Sequence, residues 1–268
     1  MGNIDVATNA EGSASRPEIR NITNADVFDA LRKGLDDFWD KPSHYVFMCL
    51  IYPIVGVVLI TWTSGGNALQ LIYPLMAGFA LLGPLAAIGL YEISRRRELH
   101  MDTSWTHALE VIKSPAIPSI VAVGLLLVVL FVVWMLVAQA LYQGIFGAAL
   151  PPNIFDFARE VLTTGRGWAL IVVGNAVGFV FALVVLCTTV IAFPILLDRE
   201  VSAYTAIETS VRAVVANPSQ MVLWGLIVAI LLLVGSIPLL VGLAIVIPVL
   251  GHATWHLYRS VVVKVEET

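Results

Sequence analysis

One uncharged segment constrains the fold of this chain more than any other feature. Residues Met221–Tyr258 form a run of 38 without Asp, Glu, Lys or Arg. A helix that spans a bilayer needs about 20 apolar residues, so one straight helix of this length would overshoot the hydrocarbon. The Gly-Ser-Ile-Pro sequence at residues 235–238 predicts a break, and hence two spans, Met221–Val234 and Pro238–Tyr258. The first is short, so it either begins nearer Asn217 or thins the bilayer locally.

Four further apolar runs of spanning length precede this segment. They are His44–Thr63, Ala68–Ile93, Ile117–Gln143 and Gly167–Leu197. Pro194 is expected to bend or fray the end of the last run. The whole chain is 59% hydrophobic but only 13% charged, which is about half the charge content of a soluble domain. These features predict an all-α polytopic membrane protein with six transmembrane helices.

The basic residues are divided unequally between the two sides of this six-span arrangement. One side holds both termini and thirteen of the fifteen Lys and Arg residues, whereas the other holds Arg159 and Arg166. Because cytoplasmic segments carry the excess of Lys and Arg, we expect both termini in the cytoplasm and the spans in a bacterial inner membrane. Within the longest outer segment, Gly144–Arg166, residues 154–162 form either a short helix on the outer surface or an ordered loop.

A spacing of alanine and proline residues recurs before three of the predicted spans. The pairs are Ala30 and Pro42, Ala206 and Pro218, and a shorter version, Ala108 and Pro118. The first two pairs share a separation of twelve residues. We interpret the recurrence as three pseudo-repeated hairpins, each preceded by a cytoplasmic amphipathic helix. Their approximate bounds are residues 23–97, 98–200 and 201–262, with a disordered polar tail at 1–22 and a short tail at 263–268.

The amphipathic helix before the first span begins with a recognisable cap, because Thr23 and Asp26 fit reciprocal capping of an N-terminus. Apolar residues then form one stripe at helical spacing, namely Val27, Phe28, Leu31, Leu35, Phe38 and Trp39. Charged residues, Asp37 among them, occupy the rest of the helix surface. Such a helix either packs on the cytoplasmic face of the protein or offers a docking surface to a partner.

The sequence PVLGHATWHLYR, at Pro248–Arg259, is similar to the closing signature of a bacterial family of predicted integral membrane proteins, domain of unknown function 2189. The motifs Gly83–Leu85 and Tyr91–Glu92 and the segment Ala206–Pro218 share this resemblance, which covers about residues 25–262. The resemblance implies a six-span inner-membrane protein without an established activity or catalytic residues. Some members carry a cytochrome-oxidase-like label, which makes a redox site a hypothesis to test.

Two histidines in this signature, His252 and His256, are four residues apart and share one helical face, so they are candidate ligands of a metal or a haem. We nevertheless expect no cofactor, since no other histidine lies inside a predicted span. His44 begins the first span, and His100 and His107 lie in a loop. Hydrogen bonding at the membrane boundary by His256 and helix packing by His252 are the alternative interpretation.

The ends of the second and sixth spans correspond, which favours this alternative. Pro84 is followed by Tyr91, Glu92 and Arg95 at the same distances at which Pro248 is followed by Trp255, His256 and Arg259. Aromatic and arginine side chains are typical of a membrane boundary. We therefore expect Glu92 and Arg259 to act as interface anchors or salt-bridge partners.

Strongly polar side chains deeper in the spans are Asn175, Gln139 and Gln143. Asn175 lies within Gly174–Gly178, whose small residues suit close helix contact, so packing is the first interpretation and substrate binding the second. The two cysteines, Cys49 and Cys187, are expected to be reduced thiols.

The sequence contains no nucleophile–base–acid arrangement, phosphate loop or paired catalytic carboxylates, so we expect a protein that is not an enzyme. A net charge of −4 without a basic patch argues against nucleic acid as a partner. Three hypotheses stay open: passage of a lipophilic or neutral small molecule, a scaffold that docks a membrane-protein partner through the cytoplasmic helices, or a haem-, metal- or quinone-linked subunit through His252 and His256. A cavity lined by Asn175 and Gln139 would favour passage.

Overall fold

The computed structural model describes residues 16–40, 54, 68–104, 111–148, 151, 153–238 and 240–264. The predicted first span, apart from Ile54, lies outside the described residues, as do His44, Cys49, His107 and the pair Ala108-Leu109. The described chain is helical and contains one isolated antiparallel bridge, between Ile19 and Val262. The predicted all-α class is confirmed.

Eleven α-helices follow one another along the described ranges. They are α1 (Asn24–Asp40), α2 (Ile72–Leu81, preceded by a 3-10 turn at Leu69–Leu71), α3 (Gly83–Ala86), α4 (Ile88–Glu98), α5 (Ile117–Phe146), α6 (Ile154–Thr163), α7 (Gly165–Thr189), α8 (Ala192–Asp198), α9 (Ala203–Ala216), α10 (Pro218–Ser236) and α11 (Leu243–Val261).

Three helices of the described chain are long and apolar enough to cross a bilayer. They are Ile117–Phe146, Gly165–Asp198 (α7 with α8) and Pro218–Ser236, and Leu69–Gly78 is a shorter apolar helix. These helices coincide with the predicted third, fourth and fifth spans. The fifth begins at Pro218, next to Asn217, which is the earlier start that the sequence offered as an alternative to a short span. Several apolar helices of this kind are those of an integral membrane protein.

Prolines divide two of the predicted spans. The run expected at Ala68–Ile93 is interrupted at Leu82 and Ala87, on either side of Pro84, and its helix continues to Glu98. The fourth run breaks between α7 and α8, at Val190–Ile191, just before Pro194. A proline ring clashes with the carbonyl four residues earlier, which explains both breaks. The backbone N–H of Ile191 at the second break donates instead to the Ser210 hydroxyl, at 3.2 Å.

The predicted break in the long uncharged segment is confirmed, but it is wider than the sequence indicated. Helix α10 ends at Ser236 and α11 begins at Leu243 rather than at Pro238. In the turn between them, Leu240 adopts a φ of 67°. A Cβ on Gly242 would lie 2.7 Å from the carbonyl oxygen of Gly235, so both glycines permit the close approach of the two helix ends.

Helix α1 has the predicted cap, and its apolar stripe is divided between buried and exposed positions. The N–H of Thr23 donates to Asp26 Oδ2 at 2.7 Å, and the N–H of Asp26 donates to Thr23 Oγ1 at 3.4 Å. Only part of the stripe, with Val27 and Phe38, is buried, whereas Phe28, Leu35 and Trp39 are exposed. The buried face is completed by Ala30, Gly34 and Asp37, which lie against α11.

A close backbone contact explains which face of α1 lies against α11. A Cβ on Gly34 would lie 2.4 Å from the backbone nitrogen of Ala253 in α11. A face of small residues allows two helices to approach closely, so α1 turns Gly34 towards α11 and turns the larger Phe28, Leu35 and Trp39 away. The residues of the apolar stripe therefore differ in environment: Val27 and Phe38 are buried, and Phe28, Leu35 and Trp39 are exposed.

The chain segments at both termini meet at one end of the bundle. The N–H of Arg20 donates to the Val261 carbonyl at 2.7 Å, and the Asn217 side chain accepts from the N–H of Ile22 at 2.8 Å. Residues 16–22, assigned from sequence to the polar tail, are thus extended and packed. We call this end, with α1, α8, α9 and the C-terminal ends of α4 and α11, the charged end. Most of the buried core lies there.

The opposite end, which we call the far end, carries α6. Of the two alternatives for residues 154–162, the helix is correct: Asn153 caps it by accepting from the N–H of Asp156 at 2.9 Å. Helix α6 has no buried residue, and its Phe157 ring lies 6.0 Å from that of Tyr142 near the end of α5. Helix α5, of 30 residues, covers about 45 Å between the two ends at 1.5 Å per residue.

Candidate functional sites: a polar network and two clefts

Arg259 joins the ends of three helices at the charged end. Its guanidinium donates to both carboxylate oxygens of Glu98 at the end of α4, at 2.8–3.1 Å, and to Asp198 at the end of α8, at 3.0 Å. Trp255, one turn earlier in α11, also donates to Glu98, at 3.2 Å. Multiple charge-assisted bonds of this kind fix geometry as well as energy, so the three helix ends are held in one arrangement.

The charges in this cluster favour one another. Burial alone raises the pKa of the Glu98 carboxyl, but hydrogen bonds from Arg259 and Lys264 outweigh burial and lower that pKa to about 2. Burial alone lowers the pKa of Arg259, and its hydrogen bond to Glu98 with the charge of Asp198 raises the pKa overall. Glu98 and Arg259 are thus ionised together over the physiological pH range.

A second polar group, next to the first, surrounds Asp37 of α1. The Asp37 carboxylate lies 2.9 Å from His256 Nε2, accepts from the Ser94 hydroxyl at 2.7 Å, and lies 3.3 Å from Arg97 Nε. Burial raises the pKa of Asp37, but the hydrogen bonds from His256 and Ser94 lower it overall. An ionised carboxylate therefore lies between α1, α4 and α11.

The two candidate histidines both belong to this group. Ser94 Oγ lies 2.8 Å from His252 Nδ1. Because the hydroxyl has one hydrogen and donates it to Asp37, the His252 Nδ1 must carry the hydrogen of this second bond. Within the described ranges, no three His, Cys, Asp or Glu side chains are grouped to hold a metal ion. The geometry gives His252 and His256 the role of connecting helices through Ser94 and Asp37.

Glu92 and the arginines that follow it line a polar cleft beside this network. Glu92 is only 6% exposed, and it accepts hydrogen bonds from Arg95 at 3.2 Å and from Arg96 at 2.8 Å. The cleft has a volume of about 470 Å³ and is lined by Glu92, Arg95, Arg96, Val111, Lys113, Ser114, Pro115, Ala116, Leu196, Leu197, Asp198, Arg199 and Glu200. It lies at the charged end, between α4, α8 and the start of α5.

An apolar cleft of about 280 Å³ lies nearer the far end, between α2, α5 and α7. Its lining consists of Tyr73, Ala77, Leu81, Trp134, Gly174, Asn175, Gly178 and Phe179. Asn175 is polar among these groups: its side chain accepts from the Tyr73 hydroxyl at 2.7 Å and donates to the Ile171 carbonyl at 2.8 Å.

The residues of the predicted small-residue motif serve different purposes in this cleft. A Cβ on Gly178 would lie 3.1 Å from the Trp134 ring, whereas a Cβ on Gly174 would meet nothing within 4 Å. Gly178 therefore allows helix contact, and Gly174 leaves open space. Gln139 is not among the residues that line this cleft, and it accepts from the Gln70 side chain at 3.3 Å, so the two residues do not line one cavity together.

Sequence reasoning missed Asp37, Ser94, Glu98, Asp198 and Tyr73. A usable signal existed for Tyr73 and Gln70, since two polar side chains one helical turn apart stand at the start of an apolar run. The hydrogen-bond partners of Glu98 and Asp198 in α11 lie 60 or more residues away along the chain, and no local pattern identifies them. His100 lies in a turn with a φ of 54° after α4, and Cys187 is a free thiol in α7.

Comparison with known proteins gives one match. No curated protein and no solved structure matches the chain. A family model described as "Predicted integral membrane protein (DUF2189)" matches residues 72–198. The matched range includes Gly83–Leu85, Tyr91–Glu92 and Asn175 of the apolar cleft. It also includes Arg95 and Arg96 of the polar cleft but not Arg199, and it reaches neither Ala206–Pro218 nor Pro248–Arg259. Residues 72–198 of this integral membrane protein therefore match domain of unknown function 2189, the family that the resemblance indicated.

Proposed function

We propose that the protein crosses the bacterial inner membrane six times and binds a lipophilic molecule with one polar group, for which the apolar cleft provides the entry from the bilayer. The observation that carries this proposal is the cleft itself: aromatic walls, open space at Gly174, and a polar pair formed by Tyr73 and Asn175. It is not an enzyme in this proposal, because the polar pair has no acid or base beside it among the lining residues.

The size and position of the apolar cleft suit part of a long molecule. Pockets that enclose a whole drug-sized ligand have about 300–1,000 Å³, so a volume of about 280 Å³ suits an acyl or isoprenoid segment. Tyr73 and Phe179 are exposed, and they lie on apolar helices, so their exposed surfaces face lipid in this arrangement. A molecule dissolved in the bilayer then reaches the cleft sideways, without crossing water.

The Tyr73–Asn175 pair gives the cleft its chemical preference. Polar side chains that face hydrocarbon are costly unless their hydrogen-bonding groups are satisfied. The Asn175 amide has a second hydrogen, and the Tyr73 oxygen can accept one hydrogen bond. A ligand with a carbonyl or hydroxyl group at its apolar end satisfies both groups, whereas a plain hydrocarbon satisfies neither.

The pattern of buried and exposed residues in α1 and α9 supports the proposed repeat. Equivalent positions of the recurrent spacing have the same environment: Ala30 and Ala206 are buried, Phe38 and Val214 are buried, Phe28 and Tyr204 are exposed, and Trp39 and Val215 are exposed. Both helices end at equivalent residues, Asp40 and Ala216. In this proposal the charged end faces the cytoplasm, because it carries the Lys and Arg excess of the chain.

Filling the cleft tests the proposal. Gly174→Leu adds a side chain where a Cβ has open space, so the fold is retained while the cleft is blocked. Gly144→Leu is the matched control, because Gly144 in α5 also has nothing within 4 Å of a Cβ and lies outside the lining. Native mass spectrometry of purified protein should show a bound lipophilic molecule in the unmodified chain and in Gly144→Leu, and a loss from Gly174→Leu. The same complement in all three proteins would refute the proposed site.

A scaffold function is the second candidate, and the exposed apolar ridges of α1 and α9 favour it. Phe28 is 54% and Trp39 64% exposed at the charged end, where a partner or the membrane surface covers them in this proposal. A photo-crosslinking amino acid in place of Phe28 distinguishes contact with a partner protein from contact with the membrane surface. A single protein adduct in membranes supports the scaffold, and adducts with lipid alone contradict it.

A further inference from the structure

We infer that the polar cleft at the charged end is a binding site for a phosphate group. This site is separate from the apolar cleft, and the inference does not depend on the proposed function. Its ligand chemistry is that of an anionic lipid headgroup or of free phosphate, because the two share the group that the cleft recognises.

The charges of the lining favour an anion. Four cationic side chains line the cleft, Arg95, Arg96, Lys113 and Arg199, against three carboxylates. Two of those carboxylates are already paired: Glu92 accepts from Arg95 and Arg96, and Asp198 accepts from Arg259, which lies outside the lining. Four cations against three carboxylates leave the described lining with a positive excess of one charge, in a partly enclosed space where charge is poorly screened.

Arg95 has a hydrogen-bond donor that no described residue accepts from. Its NH1 group bonds to Glu92, whereas its Nε is buried and has no hydrogen-bond partner among the described residues. A buried donor without a partner is costly. The Arg95 side chain lines the cleft, and arginine binds phosphate well because its donors form a planar fork.

Helix α5 begins at the edge of the same cleft. Ser114, Pro115 and Ala116 line it, and α5 has no acidic residue in its first turn and no side-chain cap. The Ser114 hydroxyl accepts from the N–H of Ala116 at 3.2 Å, but no carboxylate balances the partial positive charge at the start of this long helix, which adds to the charge of the arginines.

Apolar residues in the same lining make a lipid the favoured source of the phosphate. Val111, Leu196 and Leu197 line the cleft beside the cations. A lipid places its phosphate against the arginines and its first acyl carbons against these side chains. Basic pockets between spans at a cytoplasmic surface commonly hold anionic headgroups.

Thermal unfolding of the purified, delipidated full chain in a neutral detergent tests the inference. Three additives are compared: dioleoylphosphatidylglycerol, a digalactosyl diacylglycerol that lacks phosphate, and inorganic phosphate. Two variants, Arg95→Gln and Lys113→Gln, are compared with Arg32→Gln, which removes one positive charge from the exposed side of α1. Lys113 is exposed, so Lys113→Gln keeps the experiment decisive if Arg95→Gln does not fold.

We expect phosphatidylglycerol to raise Tm and the galactolipid to leave it unchanged. Lys113→Gln should weaken the apparent affinity about fivefold, since each Lys or Arg contributes about 1 kcal/mol to binding an anionic lipid surface, and Arg95→Gln should weaken it further. A response to phosphatidylglycerol alone assigns the site to a lipid headgroup, and an equal response to inorganic phosphate assigns it to the free anion. Equal stabilisation by both lipids, or an equal loss in Arg32→Gln and Lys113→Gln, would overturn the inference.

Discussion

The charged end and the far end of this protein are built on different principles. At the charged end, large apolar side chains such as Trp255 and Phe193 are fully buried, and ion pairs hold the helix ends at fixed positions. Towards the far end, α5, α7 and α10 expose most of their surface, and Phe155 of α6 is 83% exposed. The sequence is apolar in both regions, so hydrophobicity alone does not explain the difference.

The difference follows from the solvent on each side. Lipid tails are as apolar as leucine, so burying an apolar side chain between spans gains little, and polar contacts and small residues determine which helices meet. In the proposed orientation, the charged end meets water, so burial of apolar side chains and ion pairing both contribute to stability there. The specific structure of the bundle therefore depends on contacts such as Arg259 with Glu98, and the far end is free to keep a cleft. Substitutions matched between the two ends test this contrast.

The largest difference is expected for arginine. Arg259→Ala leaves Glu98 and Asp198 without their main partner, and removing one partner of a buried ion pair costs about 3–5 kcal/mol. The side chains are 17–24% exposed, so we expect about 3 kcal/mol of the unfolding free energy, measured by denaturant titration in mixed micelles. Arg166→Ala at the far end should change it by less than about 0.5 kcal/mol. Equal losses in the two variants would contradict the contrast.

Glycine gives the next comparison, because the same change meets a helix at one end and open space at the other. Gly34→Ala places a methyl group 2.4 Å from the Ala253 nitrogen, and overpacking of this kind costs about 1–3 kcal/mol. Gly174→Ala meets nothing within 4 Å, so it should stabilise helix α7 by about 0.5–1 kcal/mol. Opposite shifts in Tm are expected. A loss of stability in Gly174→Ala would mean that the apolar cleft is closed in solution.

Local features of the fold were predictable from sequence because they depend on a few neighbouring residues. The Thr23–Asp26 cap, the break before Pro194 and the turn after Ser236 follow from capping, proline and glycine chemistry within one or two turns of helix. The apolar runs likewise identified α5, α7 and α10, since a bilayer requires a minimum length of apolar helix.

The sites were less predictable because they join residues from distant parts of the chain. Periodicity placed Asp37 on a charged face of α1, yet it is buried, because Ser94, Arg97 and His256 from two other helices satisfy its carboxylate. Asn175 was noted as a polar residue deep in a span, with helix packing as the first interpretation. Its partner Tyr73 and the separate position of Gln139 depend on how α2 packs between α5 and α7. Spacing reveals a face of a helix, and only packing reveals what that face meets.

The smallest expected effect is the pH dependence of the stability that Glu98 contributes at the charged end. The pKa of Glu98 is lowered from its ordinary value of 4.5 to about 2 in the folded chain. Its ionised form is therefore stabilised by folding above about pH 4.5, and this stabilisation is lost as the pH falls from 4.5 towards 2. The glutamine in Glu98→Gln has no charge at any pH, so this variant should unfold at a lower Tm than the unmodified chain at pH 6, and the difference in Tm should close as the pH falls.

Because Glu98 is partly exposed, screening keeps this difference in Tm below those of the two substitutions above. Gly34→Ala removes no ionisable group, so its own deficit in Tm should stay constant over the same range. A gap for Glu98→Gln that persists at pH 2 would show that the ion pair with Arg259 is not what holds the helix ends together.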